Sequence, residues 1–102
     1  MPEVGYIALT CEFYREGSKW VANCLELGTS TFGRSLPDAK KKLDEAIELH
    51  LNTLEKVGER KRFFSENKIV FHHARPRAMN IPTRNNGFFH ICVRKIEELI
   101  PA

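Results

Sequence analysis

Residues 5–14 read Gly5-Tyr6-Ile7-Ala8-Leu9-Thr10-Cys11-Glu12-Phe13-Tyr14. Successive side chains of a strand point to opposite faces. Ile7, Leu9, Cys11 and Phe13 therefore share one face, while Tyr6, Ala8, Thr10, Glu12 and Tyr14 share the other. The stretch predicts a half-buried strand. Arg15-Glu16-Gly17-Ser18 follows with the composition of a short hairpin loop, and residues 20–24 resume the strand pattern, so the two pair antiparallel. Gly28 interrupts the chain, residues 29–32 read as a third strand, and Gly33 ends the meander.

Ser35 opens the clearest helix. Its hydroxyl can accept a free backbone N–H while Asp38, three residues on, can reach back as in a capping box. Pro37 falls in the first turn, where its missing donor costs little. Leu36, Ala39, Leu43, Ala46, Ile47, Leu51, Leu54 and Val57 recur at helical spacing, which leaves Lys40, Lys41, Asp44, Glu45, Glu48 and Glu55 for solvent. Gly58 suits a C-terminal cap, and residues 59–66 suit a brief further helical turn. Residues 68–72, with Ile69, Val70 and Phe71, read as a fourth strand reached by a helical crossover and hence parallel to its neighbour. Phe89, Ile91 and Val93 alternate in residues 88–96, which predicts one more strand with a frayed end. The expected class is α+β, in the order β-β-β-α-β plus a C-terminal strand.

A chain of 102 residues holds one domain with a small core. Charged residues make up 28% and hydrophobic ones 42%, close to globular averages, which excludes disordered and collagen-like classes. No apolar run approaches the roughly 20 residues of a membrane span, and the N-terminus lacks a basic segment followed by an apolar one. Cys11, Cys24 and Cys92 are odd in number and not spaced as a metal knuckle, which predicts free thiols in a reducing cytoplasm. Cys11 and Cys24 read as buried small hydrophobes, because nothing in the sequence places a base beside either.

Charge divides the chain. Residues 1–67 hold 11 acidic and 10 basic side chains, whereas residues 68–102 hold 2 and 6. Arg75, Arg77, Arg84, Arg94 and Lys95 lie in this tail, among Pro76, Asn80, Pro82 and the Asn85-Asn86-Gly87 turn. With Phe88 and Phe89 they could grip a phosphate backbone. The plainer expectation is a basic linker carrying a strand, Phe88, Phe89, Ile91 and Val93, that pairs with another subunit to give a homodimer or larger assembly.

Trp20-Val21-Ala22-Asn23-Cys24-Leu25-Glu26-Leu27-Gly28, followed by Thr31-Phe32-Gly33-Arg34-Ser35-Leu36-Pro37-Asp38-Ala39, resembles the HicB antitoxin-like family. That family's pattern is a strand ending in a Pro-Glu-Leu-like turn, a Thr-x-Gly-x-Thr/Ser step, and a helix opening with Glu-Ala or Asp-Ala. The resemblance implies a partial RNase H-like fold over residues 1–72, with no catalysis and no cofactor. It also implies a small protein partner, such as an mRNA-cleaving toxin that the domain blocks. Leu25 stands where the family commonly has proline, and residues 73–102 leave no room for the usual C-terminal DNA-binding helices.

An RNase H-like outline directs attention to carboxylates, since two-metal phosphodiester cleavage needs several that converge. Glu12 and Glu26 are the acids of interest on the strand scaffold, and both read as solvated. His72, His73 and His90 could approach Cys92 as a zinc set, but adjacent histidines on a strand point apart, so no metal site is expected. His50 falls beside the apolar stripe of the helix and reads as a boundary residue.

Overall fold

The extended backbone expected for residues 5–14 runs on in both directions in a computed structural model that describes residues 2–82 and 87–99. It produces a 15-residue strand, β1 (Pro2–Glu16). The remaining elements are β2 (Lys19–Cys24), β3 (Thr29–Gly33), α1 (Leu36–Lys56), α2 (Arg60–Glu66), β4 (Asn80–Pro82) and β5 (Gly87–Leu99). They form a five-stranded sheet ordered β3-β2-β1-β5-β4, in which every ladder is antiparallel. The α+β class with an extra C-terminal strand is therefore correct.

One ladder dominates. β1 and β5 pair from Pro2↔Leu99 to Tyr14↔Gly87 without a break. Fifteen residues at about 3.3 Å each span roughly 50 Å, which matches the 52 Å long axis of a molecule only 26 and 22 Å across. On one sheet face Ile7, Leu9, Cys11 and Phe13 are at most 3% exposed, and they join Ala22, Cys24, Ala39, Leu43, Ile47, Phe64 and Ile69 in the core. Phe88 lies on this face as well and stacks on Phe13 with ring centroids 5.2 Å apart.

The helices lie on that face alone. Ser35 caps α1 by accepting from Asp38 N–H at 3.2 Å, and the Asp38 carboxylate accepts from Arg34 N–H at 3.0 Å. The reciprocal bond thus reaches one residue further back than a capping box would. The β3–α1 junction is tight: a Cβ on Gly33 would sit 2.6 Å from Ala39 N and 2.7 Å from Asp38 Oδ2. At the other end Gly58 adopts φ +71, with Glu59 N–H on Leu54 C=O at 3.0 Å and Gly58 N–H on Glu55 C=O at 3.1 Å. This is a Schellman motif. Ala39, Leu43, Ile47 and Leu54 are buried as the spacing requires, but Val57, the C-cap just past the last helical residue, is exposed.

Residues 68–72 depart from the expected parallel strand. Ile69 turns into the core, Phe71 lies over Gly5, and only His72 bonds to β1, in an antiparallel bridge with Tyr6 (N–H···O 2.8 and 2.7 Å). A Cβ at residue 5 would come within 2.6 Å of His72 O, so the crossing depends on glycine there. β5 occupies the long side of β1 and runs antiparallel to it. The strand expected to leave for another subunit thus spends its length on its own chain. Trp20, on the same face of β2 as Ala22 and Cys24, packs against the core.

Replacing Ser35 by Ala should lower stability by about 0.5–2 kcal/mol, read as a lower urea midpoint at unchanged slope; an unmoved midpoint would remove the cap from this account. Asp38 gives a pH signature. Arg34 N–H, then Lys42, holds its carboxyl below the usual carboxylate range. An acid whose folded value is lowered stabilises fully above its unfolded value and loses that contribution as pH falls through the folded one. Asp38→Asn should therefore flatten the acid limb of the stability curve and leave the neutral region's slope unchanged.

Candidate binding surface

With both helices on one side, the other face of the sheet has no covering layer among the described residues. The ladder registers place Tyr6, Ala8, Thr10, Glu12 and Tyr14 there, beside Val21 and Asn23 of β2, Ser30 and Phe32 of β3, Ile81 of β4, and Phe89, Ile91, Val93 and Lys95 of β5. Most are half-buried by their neighbours alone, while Phe32 and Ile81 are 60% and 46% exposed. A shallow groove of about 460 Å³, lined by Glu16, Lys19, Val21 and Phe32, deepens one corner.

A polar seam crosses the middle of this apolar field. Glu12 accepts from Asn23 Nδ2 at 3.3 Å, and Asn23 Oδ1 accepts from Ser30 Oγ at 2.5 Å. Glu26 does more. β2 stops at Cys24 while β1 runs on, so Thr10 presents an N–H to an unpaired edge; Glu26 Oε1 accepts it at 2.7 Å and Oε2 accepts Thr10 Oγ1–H at 2.8 Å. The carboxylate stands in for a missing strand. Both acids are half-buried rather than freely solvated, which corrects the sequence expectation. Thr10 and Glu12 are two residues apart on one strand, so the two carboxylates anchor to neighbouring positions of the same face.

Cations rim the surface instead of crossing it. Lys19 Nζ lies 5.1 Å from the Phe32 ring centroid, and the Arg75 guanidinium carbon 5.7 Å from that of Tyr6. The tail's charges do not make one patch. Arg94 points to the helix side and pairs with Asp44 at 2.6 Å, Lys95 lies on the opposite face, Arg77 sits in the exposed connection before β4, and Arg84 is outside the described residues. Of the aromatic-aliphatic strand set, Phe89, Ile91 and Val93 belong to the open face, whereas Phe88 belongs to the core side.

The other candidate groups have local partners. His50 meets Thr29 Oγ1 at 3.4 Å and the Phe63 ring at 5.3 Å. His90 Nδ1 meets Asn80 Oδ1 at 2.5 Å, with burial and then Lys40 pushing its pKa down. Among the described residues no three His, Cys, Asp or Glu side chains converge as a metal set, and no helix is long and apolar enough to cross a membrane. No family model, curated protein or solved structure matches the chain.

Glu26→Ala should cost about 1–3 kcal/mol, because a charge-assisted acceptor of two donors is lost and a strand N–H is left to water. Glu12→Ala, which frees one long bond at the surface, should cost less than half of that. Urea titrations of both variants make the comparison; equal losses would deny Glu26 its edge-capping role.

Proposed function

We propose that the chain is a non-catalytic HicB-like binding domain whose open sheet face takes a small basic protein, with the toxin-like class implied by the sequence resemblance as the leading partner. The observation that carries this reading is the pair of fixed carboxylates, Glu12 and Glu26, at the centre of an apolar face otherwise exposed to water. Whole-chain charge is slightly basic, +3, and by itself argues against a basic partner. Local charge supports one. A lysine or arginine seated between the carboxylates would gain charge-assisted hydrogen bonds, and Tyr14, Val21, Phe32, Phe89 and Ile91 would supply the apolar contact around it.

The same feature disfavours self-association through this face, since a two-fold axis through its middle would set the carboxylates of two copies against each other. Catalysis is not part of the proposal. Glu12 and Glu26 are each engaged by side-chain or backbone donors, and with Mg²⁺ or Mn²⁺ present the protein should leave RNA, DNA and RNA–DNA hybrids uncut. Cleavage abolished by both Glu12→Gln and Glu26→Gln would overturn that part.

The binding test uses the purified full chain and a small basic protein encoded beside it, followed by titration calorimetry. Glu12→Lys and Phe32→Asp should each weaken binding at least tenfold, and raising salt should weaken the native pair. Leu49→Asp, on the exposed side of α1, should change nothing. Failure to bind, or equal losses from Leu49→Asp and the face variants, would refute the assignment.

A further inference from the structure

The helix-covered side holds a chemistry that the open face does not use. Cys11 and Cys24 are opposite one another in the β1–β2 ladder, and Cys92 is diagonal to Cys11 across β1–β5, because Cys11 pairs with His90 and Leu9 with Cys92. All three thiols are free and share one sheet face. Cys11 is the middle thiol of the three, facing Cys24 across one ladder and Cys92 across the other.

Their settings differ. Cys11 and Cys24 are each 1% exposed, whereas Cys92 is half-buried and borders a cavity of about 130 Å³ lined also by Cys11, Phe13, Lys40, Leu43, Asp44 and His90. That volume exceeds the roughly 30 Å³ share of a water molecule several-fold, so a small peroxide fits. The Cys92 thiol is pulled down to about 6 by a hydrogen bond from Cys11, with Arg94 assisting against burial, while Cys11 is pushed up. Cys92, the most exposed of the three and a wall of the cavity, is therefore where an oxidant enters.

The ladders also rank the two disulfides. Leu25 N–H bonds Thr10 C=O, so the neighbouring Cys11–Cys24 pair is of the non-hydrogen-bonded kind, in which facing Cα atoms lie about 4.5 Å apart. That separation falls within the range of unstrained disulfides. Cys11 and Cys92 stand on a diagonal, where residues are about 7–8 Å apart at ideal geometry, beyond the usual Cα separation of a disulfide, so a bond between them requires the strands to shift.

We propose that these cysteines form a thiol relay for hydroperoxides, with oxidation entering at Cys92 and ending as a Cys11–Cys24 disulfide. The Cys92 thiolate attacks one peroxide oxygen; an S–O bond forms, the O–O bond breaks, and hydroxide leaves to become water. The Cys11 thiol then attacks the Cys92 sulfenic sulfur, forming S–S as the S–OH bond breaks and a second water departs. Finally the Cys24 thiol loses its proton and attacks Cys11 sulfur, and Cys92 leaves as a thiolate, its low pKa making it the better leaving group. One hydroperoxide is reduced and two thiols are oxidised, with Cys92 restored. The relay is independent of the partner proposed for the open face.

The test exposes the native full chain to a few equivalents of hydrogen peroxide, quenches with an alkylating agent, and maps linkages by non-reducing peptide mass spectrometry. The expected end product is Cys11–Cys24 with Cys92 free, preceded at early times by dimedone-reactive Cys92. Cys24→Ala should accumulate Cys11–Cys92, Cys11→Ala should arrest at the Cys92 sulfenic acid, and Cys92→Ala should slow Cys11–Cys24 formation at least tenfold. Absence of the Cys11–Cys24 link in the native chain, its appearance without prior dimedone labelling of Cys92, or an unchanged rate in Cys92→Ala would overturn the relay. The native time course decides the question even where a variant fails to fold.

Discussion

The rest of the molecule depends on the ladder between β1 and β5. β1 is the central strand of the five, and its odd-numbered residues form the floor on which α1 and Ile69 rest. Without β5, the backbone groups of those odd positions would have no partner within the core, and unpaired buried amides cost more than any surface contact could return. β2 covers only the far half of the opposite edge, from Cys11 to Glu16. The near half is completed piecemeal, by the Glu26 carboxylate at Thr10 and by the His72 backbone at Tyr6. Both are repairs to a strand that is longer than its partner.

Local signals were legible and distant ones were not. Alternation through β1, the turn at Gly17, and the Ser35 cap followed by a helical stripe are written within a few residues of where they act, and the structure has each. Residues 68–72 carry the composition of a strand because Ile69 and Phe71 are apolar, but they are apolar in order to cross the sheet at Gly5. Short-range pattern cannot separate those two uses. The partner of β5 is likewise a matter of sequence separation near ninety residues, and β4, with three residues and a proline, gives almost no periodicity at all. For the site, Phe89, Ile91 and Val93 were visible as an apolar face. Glu26 was not, since its role arises only because β2 is shorter than β1, and Phe88 was grouped with Phe89 although neighbours on a strand face opposite sides, Phe88 stacking on Phe13 of the core.

The arrangement also separates two kinds of chemistry by one sheet thickness. One face gathers carboxylates, aromatic rings and a cationic rim, all reachable from water. The other gathers three thiols beneath a helix, with Arg94 and Asp44 closing the side toward solvent. Alternation within single strands achieves this: Glu12 and Cys11 are adjacent in sequence yet belong to different environments. A change on one face can therefore be made without disturbing the other, which suits a domain with little core to spare.

Pairing Pro2 with Leu99 has a temporal meaning. During synthesis β1 emerges well before β5, so the hairpin and α1 can assemble while one edge of β1 stays unsatisfied. Contacts of such long sequence separation form slowly, and an open apolar strand in a nascent chain invites pairing with whatever other strand is near. The ribosome's pace across the turn-rich residues between α2 and β5 thus sets how long this chain is exposed to misassembly before its sheet can close.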